Sequence, residues 1–513
     1  MPTDLLAQID ETVSSFRAKV DDHLSAWLAA RSASEFRAAE LALAALGRAL
    51  CDCIMAVLLH AVLSDPELQA KATASAQASG NYRSGGAREV TVTLLGGGST
   101  RVHVPYLKPN RRGRPGPKRR RGKRGPGGAG IYPTLEALGI WTRVTPALAG
   151  EVCRQVAASE SVRAGREALD RRGIDLGHKQ TLNIVNKFGD RAVQQRQDWL
   201  EGVRDQGLSG GGPLAGQRVV IGTDGGRTRI RKRSRGRRRK NGHRGYRAPW
   251  QEPKVLVVYI IDAYGRPVKE FRPVYDATMG DCDALLDMLV GYLKALGVHE
   301  ATELIVVGDG AKWIWARVAE LVERVGIKPE KVREVLDWYH AVETVHTIAK
   351  IPSQSSLTAK ARRKWLRRAL KLLRAGRIEE LVPHIRTLAV GRRAKKVNSH
   401  VGYFENNAGR MRYGTFRTDK IPLGSGAIES TVRRVVNLRL KSNAKFWYEE
   451  NAELMLLLRS YLKAGRFDDL FDWSINTAAA WWCPTSSPLY GPANGQTPSK
   501  TEPSTTPRYA RAA

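Results

Sequence analysis

The chain has 513 residues, 42% of them hydrophobic, and carries 84 Lys+Arg against 50 Asp+Glu for a formal charge of +34. That is globular composition with length for roughly three domains, and an excess of basic charge that makes nucleic acid the expected partner. The five cysteines, at 51, 53, 153, 282 and 483, form no disulfide framework and no CxxC zinc pair. That pattern suits a reducing compartment.

In chain order, "MPTDLLAQIDETVSSF" has neither the basic start nor the apolar stretch of a signal peptide. No apolar run reads as long enough to span a membrane, so no membrane partner is expected. Residues 1–80 are predicted as an N-terminal helical region, with Leu43, Leu46, Leu50, Ile54, Val57 and Leu58 at helical spacing for core or partner packing. Cys51 and Cys53 are expected as small buried residues, and Ala70–Gly80 as a linker. Residues 81–130 hold a β-hairpin, with Val90, Val92 and Leu94 alternating against Val102, Val104 and Tyr106. A basic linker follows, with Arg111–Arg124 set to lie on phosphates. Residues 131–206 read as a helical, helix-turn-helix-like DNA-binding domain. Gly173 sits in its turn, Leu169 and Ile174 in its small core, and Thr181, Asn183 and Lys187 on the second helix. An ordinary helical pair is the alternative.

A glycine-rich hinge, Gly207–Gly216, precedes a change to α/β pattern. "QRVVIGTD", "KVLVVYIIDAYG" and "RPVKEFRPVYD" read as three meandering strands. "DCDALLDMLVGYLKALG" reads as a helix capped by Asp281 and Gly297. The strand "ELIVVGDG", one helix over "KWIWARVAELVERVG", the strand "VREVLDWY" and a further helix complete the order over 217–348. That order is the order of a ribonuclease H-like domain. Residues 349–420 form an all-helical basic insertion, 421–475 return as helices, and the Pro/Ser/Thr-rich tail 483–513 is expected to be disordered. The fold class is therefore multidomain α+β: helical, β-hairpin and helix-turn-helix regions, then an α/β catalytic core interrupted by a helical insertion.

Sites in such sheets gather at the carboxyl ends of strands. Asp224 ends the first strand, Asp309 follows the fourth, and Glu429 opens the helix after the insertion. The first and fourth strands pair in such a sheet, so the aspartates stand side by side. Gly308 and Gly310 are expected to leave room for a ligand, and Gly424–Gly426 to swing Glu429 inward. Three converging carboxylates call for a cation. Oxygen-only ligands suit Mg²⁺ or Mn²⁺, and two ions roughly 4 Å apart would serve phosphodiester chemistry. The dense basic run after Asp224, including Arg227 and Arg229, then lies on the DNA backbone. Asp262 and Asp276 are further strand-end acids, Asp262 reading as turn chemistry. One of Trp313 and Trp315 is expected in the core, and Trp365 reads as core or as a base-stacking residue.

These pieces together resemble the DDE-type transposases of bacterial insertion sequences, in the broad Mutator-like group. The resemblance covers roughly 218–471 and rests on "TDGGR", "VGDGAKWIW", "DWYH" and "LGSGAIESTVRRVVNLRLKSNAKFWYEENAELML". It implies a metal-dependent transposase with Asp224, Asp309 and Glu429 as catalytic metal ligands. Asp337 and His340 match its D/C-x-x-H motif and are expected beside the ligands, near the strand bearing Asp224, His340 donating to phosphate and Asp337 orienting it. Arg433, Arg439, Lys441 and Trp447 are expected to contact DNA. The resemblance further implies double-stranded DNA partners (transposon ends and target), a homodimer or larger assembly, and a bacterial cytoplasmic, nucleoid-associated location. Several relatives carry a cysteine-based zinc ribbon near the hairpin, whereas this chain has no cysteine between Cys53 and Cys153. The alternatives are a structure-specific ribonuclease H-like nuclease and a non-catalytic DNA-binding protein derived from a transposase.

Overall fold

Ser32 starts a long helix by a reciprocal cap. Its hydroxyl accepts from the Glu35 amide, and the Glu35 carboxylate accepts from the Ser32 amide. The computed structural model describes residues 3–79, 82–109, 130–205, 208, 210–233, 245–352, 357–442 and 444–475. The basic run Arg111–Arg124, the middle of the Arg229–Arg247 run and the tail 483–513 lie outside them. The architecture is mixed α+β, and the chain divides into two units. One comprises 1–193, 231–246 and 438–462, the other 194–230, 247–437 and 463–513.

In the first unit, α1 (Thr3–Leu28) packs on α2 (Ala33–Leu63). Contrary to the sequence expectation, α2 is long and apolar enough to cross a membrane by length and composition, with a mean hydropathy of 2.0 over its apolar window. Asp52 stands inside that helix, and its carboxylate accepts from the Gly96 and Gly98 amides at 2.8 and 2.7 Å. Leu59 and Leu63 join the core of the hairpin beside it. The predicted apolar stripe is not core throughout, since Leu43 and Leu58 are exposed. Cys51 and Cys53 are exposed as well, not buried as expected. The segment expected as a linker is a helix, α3 (Pro66–Ser79). Its alanines, the best helix formers, outweigh its low complexity. The hairpin β1 (Tyr82–Thr93) and β2 (Ser99–Pro109) pairs antiparallel with Val90 opposite Val102. The alternation buries Val90, Val92, Leu94, Val102 and Val104 as read. After α4 (Pro133–Ala137) and α5 (Pro146–Ala158), α6 (Val162–Asp170) turns at Gly173, φ 80°, into α7 (His178–Asp205). Leu169 and Ile174 are buried there.

The second unit is built on one five-stranded sheet. Its strands are β3 (Arg218–Gly225), β4 (Lys254–Ile261), β5 (Val274–Thr278), β6 (Glu303–Gly308) and β7 (Val332–Leu336). They lie in the order β7-β6-β3-β4-β5. β6 is parallel to both neighbours, and β3, β4 and β5 meander antiparallel. The third strand starts late. The Asp262 carboxylate accepts from Tyr264 and Arg266 to make a turn, and Pro267 and Pro273 offer no amide to a ladder. α8 (Cys282–Ala295) is capped by Asp281, with Gly297 left-handed at its end, as expected. The single helix expected after β6 is two, α9 (Lys312–Trp315) and α10 (Val318–Val325). The Arg317 guanidinium takes the Trp313 carbonyl that its own amide would need to continue the helix. Trp313 and Trp315 both end half-buried, with Ile314 between them in the core.

α11 (Trp338–Lys350) leads into the insertion: α12 (Ala359–Ala375), α13 (Ile378–Arg386), α14 (Ala394–Asn406) and α15 (Tyr413–Thr418). The insertion has no core of its own. Trp365, Leu373, Leu381 and Phe404 belong to one cluster with Val335, Leu336 and Ile348 of the sheet and α11. Trp365 is core. Its Nε1 donates to the His384 carbonyl and its ring stacks on His384, 5.0 Å between centroids. Next come α16 (Gly426–Val432), a π-helical turn at Arg433–Asn437, α17 (Glu449–Lys463) and α18 (Phe467–Ile475).

The strand-end acid Asp276 proves to be a fully buried anchor. It accepts from Arg196 Nη1 at 2.8 Å and from the Tyr292 hydroxyl at 2.6 Å. Replacing Asp276 by Ala leaves the buried Arg196 charge uncompensated. It is expected to destabilise this unit by about 3–5 kcal/mol, read as a lower midpoint in urea unfolding. An unchanged midpoint would show that the pair contributes nothing.

Candidate active site

The strand order brings Asp224 and Asp309 together. β3 and β6 are parallel neighbours with Val307 opposite Gly222, so the two residues that follow emerge at the same sheet end. Asp309 lies one residue past β6, its Oδ1 accepting from the Ala311 amide at 2.9 Å. Gly310 holds φ 96°, a region closed to most side chains, and a Cβ there would come 3.1 Å from Tyr403. The glycines leave little open space: a Cβ on Gly308 would come 3.2 Å from Trp315. Their role is close packing of the loop, not the ligand room expected of them.

Glu429 reaches the same place through a contact the sequence did not announce. α16 packs on β3 and β4, and a Cβ on Gly222 would stand only 3.1 Å from Ile428. The bare backbone two residues before Asp224 is what lets the helix sit so close. Asp224, Asp309 and Glu429 line one cavity of about 350 Å³, together with His340, Glu343 and Ser425.

His340 stands at its wall with Asp337 buried behind it, on the side of Asp309. β7 pairs with β6, and β6 separates it from β3. This corrects the expected placement next to Asp224's strand. Asp337 caps α11, is fully buried and accepts from the His340 amide at 2.8 Å, from His340 Nδ1 at 3.1 Å and from the Ser425 amide. Its own amide donates to Gly308 at 2.8 Å. The Ser425 hydroxyl donates to Glu429 Oε1 at 2.6 Å.

The charges in this cavity disturb one another. Burial, then the neighbouring charges of Asp309 and Glu429, push the Asp224 carboxyl up to about 6, against the opposing pull of the Gly225 amide and of His340. Burial disfavours the His340 cation, but the hydrogen bond and charge of Asp337, with Asp309 and Glu429 behind them, outweigh it. Its pKa lies above the usual histidine value. Asp224, Asp309 and Glu429 offer oxygen donors alone, a set suited to a hard divalent cation. The tightest group of potential ligand atoms among the described residues is a different one. Atoms of Asp337, His340 and Glu429 lie within 4.8 Å of one another.

The residues expected on DNA divide. In this unit Arg227 and Arg433 are exposed, while Arg229 is half-buried with its guanidinium 4.7 Å over the Trp250 ring. In the other unit Asn183, Lys187 and Lys441 are exposed, whereas Thr181 is buried with its hydroxyl on the Gly177 carbonyl. Arg439 is turned inward. It is 3% exposed, donates to the Glu160 carbonyl at 2.8 Å and lies 5.1 Å over the Trp447 ring, and burial pushes its pKa down to about 10. Trp447 is half-buried and donates to the Leu440 carbonyl. The pair expected to meet DNA is thus engaged within the protein. Sequence reading missed Glu343 and Gly222, and placed Ser425 only in the tight approach to Glu429, without its hydroxyl bond to that carboxylate. The spacing of four residues between Ser425 and Glu429 was the available signal for that bond. No family model, curated protein or solved structure matches the chain.

The raised Asp224 pKa has a stability consequence. Between its unfolded value near 3.8 and its folded value of about 6 the native state holds a proton that the unfolded state has lost, so stability falls as pH rises through that window. In metal-chelating buffer, Asp224→Asn should therefore melt higher than the parent above pH 6, the gain fading as pH drops towards 4. Equal melting temperatures at pH 7.5 would remove the burial and repulsion assigned to Asp224.

Proposed function

We propose that the protein is a DDE-type DNA transposase, which binds transposon ends, cuts them by metal-dependent hydrolysis and joins the 3′ end to target DNA. The observation that carries this reading is the convergence of Asp224, Asp309 and Glu429, from two neighbouring parallel strands and a helix far along the chain, on one cavity. The strand order β7-β6-β3-β4-β5 with an all-helical insertion before α16 supports a ribonuclease H-like catalytic domain.

In this reading Asp224, Asp309 and Glu429 hold two Mg²⁺ or Mn²⁺ ions, which supply an activated water and stabilise the leaving oxygen of a phosphodiester. The protein's part is to bring the three carboxylates to one cavity, where burial and like charge raise the Asp224 carboxyl. His340 keeps Nδ1 on Asp337, which leaves Nε2 to carry a proton against a phosphate oxygen. The hydrogen bond and charge of Asp337, which raise the His340 pKa against burial, favour that proton. Exposed Arg227, Arg433 and Lys441 take the phosphate backbone, as the +34 charge of the chain suits. Asn183 and Lys187, exposed on α7, take base edges at the transposon end. Joining two ends requires a homodimer or larger assembly.

Three outcomes test this on DNA taken from the two flanks of the gene, where this reading places the transposon ends. Asp224→Asn, Asp309→Asn and Glu429→Gln should each abolish Mg²⁺-dependent cleavage while binding the ends as tightly as the parent. Any one that cuts at the parental rate is not a ligand. His340→Ala should fold and bind normally but cut on the order of a hundredfold more slowly. A lowered melting temperature with a normal rate per folded molecule would instead make His340 scaffolding. Asn183→Ala and Lys187→Ala should lose discrimination between end and scrambled DNA. A parent protein that binds both equally would end the claim of sequence recognition by α7.

A further inference from the structure

Among the described residues, the compact group Asp337, His340 and Glu429 looks at first like a metal site in its own right. The hydrogen bonds argue otherwise. Asp337 is fully buried, and its carboxylate already receives the His340 amide, His340 Nδ1 and the Ser425 amide. With three of its acceptor positions filled and no exposure, that carboxylate does not line the cavity. What it does instead is hold Ser425. Ser425 is 3% exposed, immediately precedes α16, and directs its hydroxyl at Glu429 Oε1 one turn on, at 2.6 Å. Its carbonyl accepts the Glu429 amide at 3.0 Å, so backbone and side chain together fix where the Glu429 carboxylate points. The Glu429 side chain is otherwise exposed and free to swing. The neighbouring chain is clamped as well. Leu423 accepts from the Trp338 amide at 2.9 Å, and a Cβ on Gly424 would come 3.3 Å from the Tyr339 ring.

We propose that Ser425 is a positioning residue for the metal ligand Glu429. Its hydroxyl holds one carboxylate oxygen so that the other faces Asp224 and Asp309, and Asp337 holds Ser425 in turn. The inference rests on the transposase reading only for Glu429 as a ligand. A hydrogen-bond partner behind a metal-binding carboxylate typically accounts for 10–100-fold in metal affinity.

The test is direct binding of Mn²⁺ to the full-length protein by isothermal titration calorimetry, without DNA, alongside melting temperatures. Ser425→Ala should bind Mn²⁺ about tenfold or more weakly, with unchanged stoichiometry and melting temperature. Ser425→Thr, which keeps the hydroxyl, should restore the affinity. Parental affinity in Ser425→Ala, or a loss that threonine does not restore, overturns the proposal. Asp224→Asn separates the two claims. It must lose Mn²⁺ binding if the three-acid site exists, and if it binds like the parent, the site and the role of Ser425 fall together.

Discussion

The candidate site hangs on one buried carboxylate. Asp337 is out of reach of water, and a buried charge persists only where donors replace its hydration. Here the donors come from two different places: the first turn of α11, and the residue that precedes α16. Its amide adds a third link, to Gly308 at the end of β6. One residue thereby ties the loop carrying Asp309 to the helix carrying Glu429, although the two are more than a hundred positions apart. Weakening any one of these bonds leaves the carboxylate partly unsatisfied, so the arrangement is cooperative and the two acid-bearing segments keep a common register.

A second constraint opposes the first. The chain is strongly basic, yet its cavity concentrates acids, and burial together with their repulsion shows in the raised pKa of Asp224. The site is thus electrostatically strained until a cation or a proton relieves it. His340, positively biased by the same acids, offsets part of that field from the cavity wall. His340 pulls the Asp224 carboxyl down while the acids around it push His340 up, so the two titrations are driven apart.

Much of the second unit was legible because its signals are local. Apolar runs such as "ELIVVG" and "KVLVVYII" read as strands in any context. Once strand order was assigned, the adjacency of Asp224 and Asp309 followed from topology. The hairpin alternation and the caps of α8 were equally direct. What failed depended on three-dimensional partners or on competing local rules. The alanine-rich stretch of α3 has composition common to linkers and helices, and helix propensity decided it. Arg439 was expected on DNA because it matches the R-x-K pattern of the resembled transposases, and nothing near it in sequence announces the Glu160 carbonyl that receives it. Gly222 drew no attention, and Ser425 was read only as part of a tight turn, because their importance lies in what approaches them, Ile428 in one case and Glu429 in the other. The same holds for Asp276, whose partners Arg196 and Tyr292 lie eighty residues before it and sixteen after.

The shared core of the insertion bears on how such a segment is retained. Because Trp365, Leu373 and Phe404 complete the same apolar cluster as Val335, Leu336 and Ile348, the helices from α12 to α15 are not cargo grafted onto a finished sheet. Deleting them would strip the cover from β7 and α11, the two elements that present Asp337 and His340. The insertion and the edge of the sheet that carries the candidate site must therefore fold as one cooperative block. Loss by recombination of a segment that looks dispensable by its position would erase the scaffold of the site itself.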